Sequence, residues 1–480
     1  MDRSRFVSDL RRAVGDEYVL ASPEEVLVYE CDALSIYRNM PLAVVLPKNT
    51  EEVQGVVRVA QQHKACIVPR GAGTGLSGGA LPHENGVLIG FGRMNQILEV
   101  DLPNRRAVVQ PGVVNLHLSQ AVKKHGYYYA PDPSSQAACT IGGNAAENSG
   151  GPHCLKYGVT TNHVLGFEMV LPDGEVVELG GPVEDMPGFD LRGVCIGSEG
   201  TLGVITKITV RLLPLPEGVK TMIAVFNSME CACDAVSDIV ANGLIPAALE
   251  MIDRHTIQVV EKTLKSGFPE SAAAVLLIEL DGPVAGMEEW VRVIEGICRR
   301  NDATQFRVAQ NEEERAKLWA GRKNAFGAFG QVSPNFYCLD GTVPRSRIAE
   351  AIRRIEAVGR KYGLLIANVF HAGDGNLHPL ILFDDRKPGE TDRVIEAGSE
   401  ILHACVELGG SLSGEHGIGI EKMMDTPAEF SEVALAMMKT VKGIFDPEGR
   451  CNPAKIFPTP GRCAEVRGAA NLKLPAGVWV

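Results

Sequence analysis

Short apolar runs, broken by glycine, proline and charge, dominate the first two hundred or so positions and predict strands over residues 42–47, 66–69, 87–91, 97–101 and 107–110. A helix is expected from Thr50, read as its N-cap with acidic Glu51 and Glu52 behind it, and another over 115–124. Apolar stretches flanking Pro172-Asp173-Gly174 predict a hairpin over 166–179, and the run 200–213 ends at Pro214 and Pro216. Beyond that point the rhythm changes. Strand-like 222–226, 273–280 and 336–343 alternate with helical 288–299 and 348–362, the pattern of an α+β domain. Residues 427–445 form an amphipathic helix, and Pro447, Pro453 and Pro458 keep the chain beyond it irregular.

With 480 residues, two or three domains are expected. No apolar run reaches the roughly 20 residues that span a bilayer, and residues 1–16 are charged and amphipathic rather than a signal peptide, so a cytosolic protein is expected. The net charge of −12 offers no basic stripe for a phosphate backbone and excludes nucleic acid as a partner. The 12 cysteines include no C-x-x-C pair, so the chain is expected to carry no iron–sulfur cluster of its own.

Glycines concentrate where a ligand would need close backbone approach. Residues 69–79 (PRGAGTGLSGG) come after a strand and hold five glycines, a composition that lets successive N–H groups face one phosphate. Gly73, Gly75 and Gly78 satisfy G-x-G-x-x-G, and Glu99 stands about where a ribose-binding acid would, so an NAD(P) site is one reading. Pro82 and Asn85-Gly86 arrive too soon for the helix that reading needs. Two more loops, 141–151 and 197–203, repeat the composition and suit one long ligand threaded between sub-sheets.

A second constellation lies in 369–379 (VFHAGDGNLHP). Asp374-Gly375 is a favoured two-residue turn, which would set His371 directly opposite His378 with Cβ atoms roughly 5 Å apart. Two imidazoles at that spacing can share an ion. Residues 413–419 (SGEHGIG) add Glu415 and His416. His371, His378 and Glu415 would make a two-histidine, one-carboxylate site for Zn²⁺, Mn²⁺ or Fe²⁺, with His416 as a base. Arg322 suits a carboxylate clamp, against the alternative of a helix-surface arginine.

From residue 41 to 458 these motifs, in this order, resemble the FAD-dependent 2-hydroxy-acid dehydrogenases of the vanillyl-alcohol-oxidase superfamily. These include the FAD-linked subunit of bacterial glycolate oxidase and the D-lactate and D-2-hydroxyglutarate dehydrogenases. The resemblance implies an α+β chain: an FAD-binding domain of two subdomains over 1–216 and a substrate (cap) domain with an antiparallel sheet over 217–420. A C-terminal helical segment, 421–480, would return to the FAD domain, with a flexible tail after about 460. By the same resemblance Arg70, Gly71, Ala72, Gly73, Thr74, Gly75, Ser77 and Gly78 line the FAD pyrophosphate. Pro133, Ser134, Thr140, Gly143, Asn144, Asn148, Ser149, Gly150, Glu199 and Ile205 contact the rest of FAD. His371, His378 and Glu415 match the metal ligands, His416 the catalytic base and Arg322 a substrate-binding arginine. Leu380 and Cys338 depart from the dicarboxylate-oxidising relatives, which favours glycolate or D-lactate over D-2-hydroxyglutarate or D-malate. The implied partners are an iron–sulfur subunit and a second flavin-domain-like subunit near the inner membrane, with a homodimer as the alternative. A non-catalytic flavin scaffold and an oxygen-using oxidase of phenols or sugars are the remaining readings.

Overall fold

The structure, a computed structural model, describes residues 1–183 and 187–458, so the expected flexible tail lies outside the described residues. The chain forms two compact units. One comprises Met1–Ser149, Val159–Leu215 and the chain from Glu415; the other comprises Gly150–Gly158 and Pro216–Gly414. Nothing in the sequence pattern marks Gly150–Gly158 as part of the second unit.

The first unit holds two principal sheets. In the four-stranded one the order is Val19–Leu20, Ala43–Val45, Gly86–Gly90, Cys66–Arg70, and the last three strands run parallel. Ala43–Val45 and Gly86–Gly90 are wholly buried, as parallel strands covered on both faces must be. Phe6 and Leu10 of helix Arg3–Val14 pack into the same core as Val53, Val56 and Val57 of helix Thr50–His63. The five-stranded antiparallel sheet has the order Ile97–Asp101, Arg106–Val109, Val204–Arg211, Val164–Val170, Val176–Gly180. Its hairpin closes where the turn chemistry places it, with Val170 opposite Val176 and Gly174 at φ +87°.

Three local expectations need correction here. Asn49, not Thr50, caps the helix: the Asn49 side chain accepts from Glu52 N–H at 2.9 Å, while Thr50 Oγ1 donates to Glu168 at 2.6 Å. Asn49 takes the cap because its backbone is still extended, whereas Thr50 is already helical. The loop expected around residue 141 contains a helix, Ile141–Glu147, capped by Thr140 and ended by left-handed Asn148. Two glycines hide its periodicity, and burial of Ile141 and Ala145 outweighs their poor propensity. The C-terminal amphipathic stretch is two helices, Thr426–Glu429 and Glu432–Phe445, because Ser431 starts the second by accepting from Ala434 N–H.

The second unit is built on one seven-stranded antiparallel sheet. Its order is Gln305–Val308, Gly218–Phe226, Ala274–Gly282, Ala248–Asp253, Leu365–His371, Pro379–Phe383, Asn335–Cys338. The strand expected over 336–343 stops at Cys338, because Thr342 leaves the sheet to bridge Asn376 and Ser411. Among the described residues no helix is long and apolar enough to cross a membrane.

Candidate active site

Three glycine loops converge in the first unit. Gly71 is pressed against Thr140 and Gly143, Gly197 faces Asn148, and Gly200 lies on Pro69, so added side chains would force the loops apart. Thr140 Oγ1 accepts from Gly143 N–H at 3.2 Å, and Asn148 Oδ1 accepts from Thr161 N–H at 2.9 Å. Ser77 is fully buried, and its hydroxyl has no hydrogen-bond partner among the described residues. A buried orphan hydroxyl inside a glycine cradle is what a polar cofactor would satisfy. The loops therefore fit FAD.

The remaining expected FAD contacts lie on several separate elements. Arg70 turns its guanidinium beneath Gly73, donating to Cys31 O at 2.7 Å. Ile205 lies on the central strand Val204–Arg211, and Pro133 O accepts from Gln136 N–H in a turn that leaves Ser134 exposed. Gly150 opens the short segment of the second unit.

His416 also lies in the first unit, with Nε2 3.9 Å from a Glu415 carboxylate oxygen. The backbone just beyond it is tied to the glycine loops. Ile418 and Gly419 N–H donate to the Glu199 carboxylate, each at 2.7 Å, and Ile420 and Glu421 N–H donate to Ser77 O at 3.0 and 3.1 Å.

In the second unit His371 and His378 are both buried, with ring centroids 5.1 Å apart and planes at 87°. The expected two-residue turn is not how they meet. His371 pairs with Asn376, Ala372 to Gly375 form the turn, and further along Asn368 pairs with Pro379. The pairing is slipped by two residues, because Val343 N–H is bonded to Gly375 O and Thr342 bridges Asn376, fixing this arm from outside. A slip of one would put the rings on opposite faces; a slip of two keeps them together as diagonal neighbours.

Each ring is oriented by a buried acceptor. His371 Nδ1 is 2.7 Å from Glu250 Oε1, and His378 Nδ1 is 3.2 Å from Leu339 O. A carbonyl only accepts, so His378 carries its proton on Nδ1, and the Glu250 carboxylate asks the same of His371. Both rings then present an Nε2 lone pair, the tautomer a metal requires. The pair fits a divalent cation.

Glu250 also faces Arg322, with Oε2 2.6 Å from Nη2; the side chains are 0% and 1% exposed. Burial alone would raise the Glu250 carboxyl, but Arg322 and His371 outweigh it and hold it below its ordinary value. Arg322 Nε and Nη1 have no hydrogen-bond partner among the described residues, so a buried guanidinium keeps donors in reserve. The surface-arginine alternative is excluded.

The local sequence pattern does not single out Glu250, Glu279 or Asp340. The signal for the first two was a carboxylate flanked on both sides by apolar residues within a strand run, Ala248–Asp253 and Ala274–Gly282. Buried Glu279 accepts from Thr221, from Trp319 Nε1 at 2.6 Å and from Arg315 at 3.0 and 3.1 Å. Asp340 accepts from Gly414 N–H and Ser413 Oγ, each at 3.0 Å; only the fold reveals it.

Glycine cradles on a two-sheet unit, with a buried histidine pair on an antiparallel sheet, define a flavin-oxidase type of protein. The solved structure of p-cresol methylhydroxylase with substrate bound matches in fold at a TM-score of 0.79 and 18% identity, covering 94% of this chain and 96% of that one. Residues 41–180 match the model of an FAD binding domain, and residues 215–456 match that of the FAD linked oxidases, C-terminal domain. The chain belongs to the FAD-linked oxidase family. It is 50% identical over 465 residues to glycolate oxidase subunit GlcD of Escherichia coli (strain K12), covering 97% of this chain and 93% of that protein. It is 33% identical over 452 residues to a D-lactate dehydrogenase of Anaerostipes hadrus, covering 91% and 95%.

Proposed function

We propose that this protein dehydrogenates a small 2-hydroxy monocarboxylic acid, glycolate or D-lactate, to the 2-oxo acid, using FAD and one divalent metal. The relatives' names support this substrate class. The observation that carries the mechanism is the buried Arg322–Glu250–His371 chain beside His378.

The metal ligands are assigned to His371, His378 and Glu415. Support for Glu415 is covalent. Its neighbour Gly414 is tied to Asp340 and pressed on Asn376, two residues before His378. A divalent cation, when bound, supplies the positive charge that lowers the pKa of a substrate hydroxyl. FAD, when bound, supplies the acceptor for the α-hydrogen leaving as hydride. Arg322 grips the substrate carboxylate with the donors Glu250 leaves unspent, and His416 receives the hydroxyl proton at Nε2. Cys338 and Leu380 pair directly across adjacent strands, Leu380 two residues beyond His378, and neither brings a positive charge for a second carboxylate. Onward electron transfer is assigned to a partner protein, since the sequence has no C-x-x-C pair and the Escherichia coli relative is named a subunit.

Anaerobic titration of the purified flavoprotein with glycolate, D- and L-lactate, malate and 2-hydroxyglutarate tests this. Glycolate or D-lactate should bleach the flavin, and metal analysis should find about one divalent ion per chain. A flavin bleached by none of these acids would refute the reading.

A further inference from the structure

A base must sit still, and the loop bearing His416 has no regular structure to hold it. Gly417 and Gly419 take left-handed backbone at φ +85° and +54°. We propose that Glu199 is the positioning residue for His416, its carboxylate clasping the backbone two and three residues beyond the imidazole. This inference rests on the reading of His416 as the base.

The clasp is a two-pronged acceptor. Ile418 N–H donates to Oε1 and Gly419 N–H to Oε2, each at 2.7 Å. Glu199 is itself immobilised. Its N–H donates to Ala146 O at 2.8 Å, its carbonyl accepts from Asn452 Nδ2 at 2.6 Å, and it is 4% exposed. It sits at φ +52°, a conformation that a non-glycine residue keeps only when its surroundings fix it. The loop has no room to shift toward the clasp. A Cβ at Gly417 would come within 2.6 Å of Glu147 Oε2 and 2.8 Å of Glu199 Oε1, and one at Gly419 would collide with Ser77 O. Lys422 Nζ closes the loop on itself by donating to Gly417 O at 3.0 Å.

The family resemblance assigns Glu199 to FAD, yet both of its carboxylate oxygens already accept backbone amides. The two roles give different outcomes for Glu199→Gln, whose amide can accept from one N–H but turns its NH₂ toward the other. In the holoenzyme, kcat should fall about 10- to 100-fold with KM within about twofold, since a misplaced base slows chemistry more than binding. Flavin content and absorption spectrum should match wild type, and hydrogen–deuterium exchange of a peptide spanning 415–422 should accelerate.

Wild-type kcat with wild-type exchange would overturn the proposal. Lost flavin with normal kcat per bound flavin would overturn it too, and would return Glu199 to the cofactor. If Glu199→Gln does not fold, Gly417→Ala, which drives a methyl into the clasp, should give the same signature, and an unchanged enzyme would overturn the proposal. Should no 2-hydroxy acid reduce even the wild-type flavin, the functional reading fails, and the exchange comparison alone decides whether the clasp exists.

Discussion

The two histidine-bearing regions are held by opposite means. His371 and His378 lie on and beside paired strands, and the partner of each ring, Glu250 or Leu339, fixes which nitrogen bears the proton. His416 lies in a glycine-rich loop whose backbone is fixed by Glu199 and Ser77, four amides in succession. A metal ligand must offer a lone pair in one direction, so orienting the ring is worthwhile. On the proposed reading the base must change protonation state during turnover, and a fixed backbone keeps it in place in both states.

The sharpest break of this comparison is His416→Ala against His371→Ala. The first should keep FAD and metal while kcat falls by about 10²- to 10⁴-fold; the second should lose the metal itself. Metal analysis beside steady-state kinetics separates them, and equal metal loss in both would erase the distinction. Dialysis of the wild type against a chelator should likewise abolish turnover without releasing flavin, and added Zn²⁺, Mn²⁺ or Fe²⁺ should restore it.

Glu250→Gln removes ring orientation while leaving the imidazole. Metal affinity should drop about 10- to 100-fold, measured by competition with a chromophoric chelator. Unchanged affinity would mean that the strands alone suffice.

Glu279 is the control within the same sheet: a buried carboxylate with cationic partners but none of the expected ligands. Burial alone would raise its carboxyl, yet His153 and Arg315 outweigh that and hold it at about 2. A depressed folded-state pKa stabilises fully above the unfolded value, roughly 4.3, and that stability is lost as pH falls toward about 2. Glu279→Gln should therefore cost roughly 2–4 kcal/mol near neutrality, and its deficit against wild type should shrink below about pH 5 in acid melts. A deficit independent of pH would contradict the assignment. The smallest effect is expected at the N-cap of helix Thr50–His63, where Asn49→Ala should cost about 1 kcal/mol in denaturant melts.

The glycine loops, the hairpin at Gly174 and the candidate ligands were legible because each depends on residue type at short spacing. Turn chemistry and backbone freedom are local properties. The error at Asp374-Gly375 shows where locality ends: the dipeptide favours a tight turn, but Thr342 and Val343, some thirty residues away, hold the pairing two places over. The histidines still meet, because a strand's faces repeat every second residue.

By itself the sequence determined which groups the chain can offer: the loops able to admit a cofactor backbone-close, and the imidazoles and carboxylates proposed to hold an ion. The tertiary structure alone decided how those groups are tuned. Glu250 orients His371 from 121 residues away and Glu199 reaches Gly419 across 220, and separations of that size leave no trace in a local pattern. Burial is what gives these contacts their strength, and burial belongs to the folded chain rather than to any segment of it.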